Sequence, residues 1–211
     1  MDDTRKPDEM IGIVLLINPT AVKAAITLSR KLTRKEAAPQ LVLSAGQTAP
    51  ALPHISMIHL VKPADISGLV DKLSRINGLC GNLLRRDKSH QFTGLGLRRN
   101  WVFWETPRMP GLDHLHDFVI SSVQSFLVKP VDVTWPMSEA QQRMHEMYGY
   151  PSCGECFDPH VTLAVFPPDD VDEELVRAHS CRQYWSASAF AIAEIGPQGR
   201  VSKILHQFPL S

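Results

Sequence analysis

This 211-residue chain lacks several features that mark specialised proteins. Its four cysteines, Cys80, Cys153, Cys156 and Cys181, are too few to staple a chain of this length, so a disulfide scaffold is excluded and a reducing compartment suits it. Net charge is absent too, because 22 basic residues balance 22 acidic ones. No global field steers such a protein along a polyanion, and Arg30–Lys31, Arg34–Lys35, Arg85–Arg86–Lys88 and Arg98–Arg99 are only local basic clusters. The longest apolar run, Ile11 to Ile17, falls far short of the ~20 residues that a membrane-spanning helix needs. Met1-Asp2-Asp3 is acidic where a secretory signal is basic. A cytoplasmic protein without a membrane partner is expected. The sixteen prolines are scattered singly, which argues against a Pro-rich linker between independent domains. At about 100–200 residues per domain, the length suits one compact domain, 1–211, or two small lobes within it.

What is present is a repeated order of elements. Ile11–Ile17 reads as a strand ended by Asn18-Pro19, and Val22, Ala25, Ile26 and Leu32 follow near helical spacing, with Asn18 as N-cap. His54–Leu60, bounded by prolines 53 and 63, is too short for a helix and reads as a buried strand. Ile66, Leu69, Val70, Leu73 and Ile76 then mark one face of an amphipathic helix. Gln91–Leu97 and Trp101–Thr106 read as a hairpin turned at Arg98-Arg99-Asn100. Leu112, Leu115, Val119, Val123, Phe126 and Leu127 make a third helix, and Ser138-Glu139-Ala140-Gln141 matches a capping box that opens a fourth.

The order then recurs. His160–Phe166 is strand-like, Val171, Leu175 and Ala178 mark a short helix, and Tyr184–Ala193 with Val201–Phe208 flank Gly196-Pro197-Gln198-Gly199 as a second hairpin. Both halves run helix, Pro-His-x-Ser/Thr strand, helix, hairpin. That predicts an α+β fold: a duplicated unit of two lobes, approximately 11–106 and 110–211, related by a pseudo-two-fold, with two antiparallel sheets flanking a central groove and helices outside.

Side chains alternate along a strand, so His54 and Ser56 share one face, as do His160 and Thr162. By the same alternation His59, five residues from His54, falls on the opposite face and outside the site. Two imidazoles suit phosphodiester cleavage: one accepts a proton from the attacking hydroxyl or water, and the other protonates the leaving oxygen. Ser56 and Thr162 would donate hydrogen bonds to the non-bridging phosphate oxygens as charge builds there. The arrangement requires neither a metal nor a cofactor.

At these residues the sequence resembles the 2H phosphoesterase superfamily, which includes the bacterial 2′-5′ RNA ligase-like proteins and cyclic nucleotide phosphodiesterases. The family motif His-x-Ser/Thr-x is matched twice, by His54-Ile55-Ser56-Met57 and His160-Val161-Thr162-Leu163, each after a proline. Trp101–Glu105 followed by Leu112, Leu115 and His116 looks like the family's central strand and helix. The resemblance implies a bilobal fold with a central groove, His54 and His160 as acid–base pair, and Ser56 and Thr162 as phosphate ligands. It also implies metal-independent cleavage of a small nucleotidic phosphodiester: a 2′,3′-cyclic phosphate, a 2′-5′ linkage, an RNA 3′ end or a cyclic oligonucleotide. One departure is Ser56 where the family more commonly has Thr, which keeps the donor and loses a methyl.

Tyr150, Phe157 and Trp101 are candidates for stacking a nucleobase, and Arg200 in the second hairpin turn, like Arg98–Arg99 in the first, for reaching a phosphate. The expected partner is a small nucleotide, oligonucleotide or RNA end bound by a monomer, with no extended duplex. Two other readings compete. The same fold could hold a nucleotide or RNA end without turning it over, or Cys153-Gly154-Glu155-Cys156 could bind zinc with Cys80, Cys181, His145 or His179.

Overall fold

The computed structural model describes residues 9–33, 52–86, 90–166, 171–196 and 199–210. It is a mixed α+β fold built on antiparallel sheets. The first strand, β1 (Met10–Ile17), is apolar almost throughout because both of its faces are covered. Ile11, Ile13, Leu15 and Ile17 enter the main core, while Val14 joins a smaller cluster with Ala191, Ala193 and Val201 on the other face. Helix α1 (Pro19–Thr33) follows at once. Asn18 does stand before Pro19, but its side-chain oxygen accepts the Ser186 N–H at 3.0 Å, tying the end of β1 to a break between two distant strands.

Next come β2 (His54–Val61), α2 (Ile66–Arg86), β3 (His90–Phe92), β4 (Gly94–Arg98) and β5 (Trp101–Glu105). Helix α3 (Pro110–Val123) then leads to α4 (Glu139–Tyr148). The expected capping box opens α4: Ser138 accepts the Gln141 N–H at 3.2 Å, and the Gln141 side chain accepts the Ser138 N–H at 3.0 Å. The chain ends with β6 (His160–Val165), α5 (Glu173–Ala178), β7 (Gln183–Trp185), β8 (Ala187–Ile195) and β9 (Val201–Pro209).

The strands form sheets of order β2-β1-β8-β9, β4-β5-β6 and β3-β7. Neither larger sheet stays within one of the stretches 11–106 and 110–211. The C-terminal hairpin β8-β9 pairs with β1, and β6 pairs with β5. The reason is that β1 and β5 each have two edges to satisfy, and their sequence neighbours cover only one of them. Two strands expected to be continuous are split for a similar reason. Gln91–Leu97 breaks at Thr93 and Tyr184–Ala193 at Ser186, because β3 and β7 pair with each other while β4 and β8 join the larger sheets.

Helices α2 and α3 pack on each other; α3 also contacts β2, and α1 packs on β6. Residues of both larger sheets and of α1, α2 and α3 meet in one core, which includes Leu28, Ile55, Leu69, Trp104, Leu115 and Leu163. No described helix is long and apolar enough to cross a membrane.

Candidate functional site

The two histidine strands are in direct contact, β2 from one sheet and β6 from the other. On β2, Ile55 points into the core while His54 and Ser56 are only partly covered. The His54 Nδ1–H donates to the Leu52 carbonyl at 2.7 Å. That bond commits Nδ1 to the backbone and leaves Nε2 as the nitrogen able to exchange a proton with a ligand. On β6 the geometry recurs: Val161 is core, His160 and Thr162 are partly covered, and the His160 Nδ1–H donates to the Asp158 carbonyl, also at 2.7 Å.

Each strand also carries a bulge one residue past its hydroxyl. Ile13 pairs with Ile58 and Val14 with Ser56, so Met57 is the extra residue in β2. Val102 pairs with Ala164 and Phe103 with Thr162, so Leu163 is the extra residue in β6. A bulge shifts the alternation by one. Met57 and Ile58 both enter the core, and His59 returns to the face of His54 and Ser56. The strand alternation expected from sequence therefore fails for His59, whose Nε2 lies 3.1 Å from the Ser56 hydroxyl.

His59 is enclosed by residues that leave it room. A Cβ on Gly12 would stand 3.3 Å from its Cδ2, and one on Gly199, at φ +69°, would stand 3.5 Å from its Cε1. The Tyr150 ring lies 4.9 Å away, centroid to centroid. Burial, helped by the charges of His54 and His160, pushes the His59 pKa down to about 3. Burial also lowers His54, to about 4, against the raising effect of the Leu52 carbonyl and with a smaller push from His160. Both are neutral imidazoles at pH 7. Burial raises the Tyr150 phenol to about 12, so it stays protonated.

The surroundings of His160 differ. The Asp158 carboxylate lies 3.6 Å from Nδ1 and is itself ion-paired with Arg98. Burial raises the Asp158 pKa, but His160 and Arg98 outweigh it and hold the carboxyl well below the usual range. Phe103 carries the His160 ring at 4.2 Å on one side, and the Arg98 guanidinium stands 5.5 Å from its centroid. His160 thus has a counter-ion, whereas among the described residues His54 has none.

The other expected ligand residues fare unequally. Tyr150 is at the site, against His59. Trp101 lies on the same sheet face as Phe103 and stacks toward it at 6.2 Å; Phe103 is the residue opposite Thr162, and Trp101 pairs with Val165. Arg200 is half-buried beside Gly199 in the β8-β9 turn. Phe157, expected to stack a base, is instead core at 3% exposure, lying flat on the buried His116 ring at 3.7 Å. His116 Nε2 accepts the Gly154 N–H at 2.9 Å, so this pair anchors the 150–157 loop that presents Tyr150. Phe157→Ala should accordingly cost about 3–5 kcal/mol of stability in a denaturant titration, as a buried aromatic does.

The Cys-x-x-Cys segment forms a short 3-10 turn at Gly154–Cys156. Cys153 is buried with its thiol on the Tyr150 carbonyl at 2.8 Å. His145 bonds the Val131 carbonyl and His179 the Leu175 carbonyl. Among the described residues no three His, Cys, Asp or Glu side chains converge as metal ligands; the Cys80 side chain lies outside them. Sequence reasoning missed His59 and Asp158 as site residues, and it offered Arg98 as a turn residue reaching for a phosphate rather than as the ion-pair partner of Asp158. Asp158, two residues before His160, had no counterpart in the first motif to draw notice, and His59 was hidden by the bulge.

No protein-family model and no curated protein matches the sequence. Among solved structures the fold is similar to the crystal structure of TT0787 of Thermus thermophilus, with a TM-score of 0.55 at 16% identity over 95% of this chain and 97% of that one. The likeness is one of fold.

Proposed function

We propose that the protein is a metal-independent phosphodiesterase of the 2H type, with a duplicated bilobal layout, acting on a small nucleotidic phosphodiester. The observation that carries this reading is the matched pair of imidazoles. Both Nδ1 atoms are committed to the carbonyl two residues upstream at 2.7 Å, each beside a hydroxyl on its own strand. Neutral His54 takes the proton from the attacking water or ribose hydroxyl at its Nε2. His160, with Asp158 as counter-ion, gives a proton to the leaving oxygen as the P–O bond breaks. Ser56 and Thr162 donate to the non-bridging oxygens, where the transition state gathers charge. A return transfer from His54 to His160 through water restores the starting state.

The test is turnover of a panel comprising a 2′,3′-cyclic nucleotide, a 2′-5′-linked dinucleotide, a cyclic dinucleotide and a short RNA with a modified 3′ end, all in EDTA. At least one should be cleaved. Binding without turnover across the panel would instead identify a nucleotide-binding module.

Ser56→Ala and Thr162→Ala should each lower kcat by about 10- to 10³-fold with smaller changes in KM, as expected for donors to a developing oxyanion. Equal losses in kcat and binding would make them ground-state ligands. Substrate length gives a further check, because the neutral chain offers no basic stripe. Affinity of the catalytically dead double mutant for a non-hydrolysable analogue should fall with salt at a log–log slope of roughly −1 to −2, about −0.7 per phosphate on a single strand. A slope near −5 with a 20-mer would mean a polymeric substrate.

A further inference from the structure

The two motif copies differ in a way that the bulges make interpretable. In β6 the hydroxyl belongs to a threonine, whose methyl restricts χ1. In β2 it belongs to a serine, which has no such restriction. Five residues past each histidine, on the face that the bulge restores to the site, stand Val165 in β6 and His59 in β2. Valine can make no hydrogen bond to Thr162. His59 makes one to Ser56. The copy that lacks the methyl has the imidazole, and the copy that has the methyl does without it.

We infer that His59 is a positioning residue: its Nε2–H donates to the Ser56 Oγ and fixes the hydroxyl so that its own proton is directed at the substrate's phosphoryl oxygen. The inference rests on the phosphodiesterase reading for its consequence, though not for its geometry. The opposite polarity, with Ser56 donating to His59, would turn lone pairs toward an anion. A role for His59 as base toward a Ser56 nucleophile is disfavoured, because the imidazolium formed would be enclosed by Gly12, Gly199 and Tyr150 at 8% exposure, whereas His54 is only partly covered. The bond also polarises the Ser56 O–H, which strengthens its donation to the phosphate.

Two measurements test this. The first is the tautomer of His59 in the free protein, read by long-range 15N–1H correlation and assigned through His59→Gln. A proton on Nε2 is expected, and a proton on Nδ1 overturns the inference whether or not any substrate is found. The second is kinetic, using the panel member that the wild type cleaves. His59→Phe, which keeps the ring but removes the donor, should lower kcat about 3- to 10-fold, the size of one hydrogen bond, with KM nearly unchanged. His59→Gln, whose amide N–H reaches the same place, should stay within about 2-fold of wild type.

The loss in His59→Phe should vanish in a Ser56→Ala background and persist in a Thr162→Ala background. Adding Ser56→Thr to His59→Phe should restore turnover, because the methyl then does what the imidazole did. An equal loss with and without the Ser56 hydroxyl, or no rescue by Ser56→Thr in a protein that melts like wild type, overturns the positioning role. Absence of turnover by the wild type on the whole panel counts against the phosphodiesterase reading alone, and the tautomer then decides the inference.

Discussion

Replacing His54 or His160 by alanine is expected to lower turnover by about 10²- to 10⁴-fold, the range for losing a positioned general acid or base, while the protein stays folded. Both residues are only partly covered, and each ring donates through Nδ1 to the carbonyl two residues before it, just ahead of its strand. Truncation opens little core. The two variants should differ in kind. In the proposed mechanism His54 is the base in the cleavage step, so its alanine variant should respond to an added small base such as imidazole. His160→Ala should do least harm with substrates whose leaving oxygen needs no proton, such as a nitrophenyl ester. Activity within a few-fold of wild type in either variant would end the two-histidine mechanism. With His54 held at about pH 4, its protonation does not limit activity at pH 5–7.

Acid should unfold the protein before it silences His54. His54, His59 and His116 are held at about 4, 3 and 3, each from an ordinary value of 6.5. Burial is the largest cause in all three. Between those values and 6.5 the unfolded chain binds more protons than the folded one, so the full stability is present above pH 6.5 and is lost as pH falls. Three such groups together remove about 4 kcal/mol for each pH unit between roughly 6 and 4. Against a typical net stability of about 5–15 kcal/mol, the acid midpoint should lie at roughly pH 4–5. Asp158, whose carboxyl is held low by His160 and Arg98, adds to the loss only below the ordinary carboxylate range.

Denaturant titrations at pH 7, 6 and 5 measure the slope. A change of about 1.4 kcal/mol per unit or less would mean that at most one of the imidazoles is buried and neutral. His116→Phe should flatten the slope by about a third if its ring is accommodated as His116 is, stacked on Phe157.

How much of this was legible beforehand depends on the range of the forces involved. The α+β class, α1, α2, α3, α4 and the strands β1, β2 and β6 follow from local hydrophobic period and from capping and proline signals, which a chain carries in adjacent residues. The repeat of Pro-His-x-Ser/Thr in two matching contexts singles out His54, Ser56, His160 and Thr162 for the same reason: alternation over two residues needs no knowledge of the partner strand. Alternation over five residues does. Whether His59 faces the site turns on one extra residue at Met57, and a bulge is a property of the pairing between β1 and β2 that neither strand sequence declares.

Partner choice was equally beyond the sequence. Which strands complete β1 and β5 depends on edges that must be covered by something, and segments some 180 residues away cover β1. The same long-range packing put Phe157 under the surface on His116 rather than at a ligand-binding face, and brought Arg98 and Asp158 together beside His160 from segments 60 residues apart. The chain's local patterns determined the kind of chemistry its residues can do. Only the tertiary structure decided which imidazole has a counter-ion, which is neutral, and which lies against a serine hydroxyl, because those properties arise from burial, strand pairing and neighbours distant in sequence.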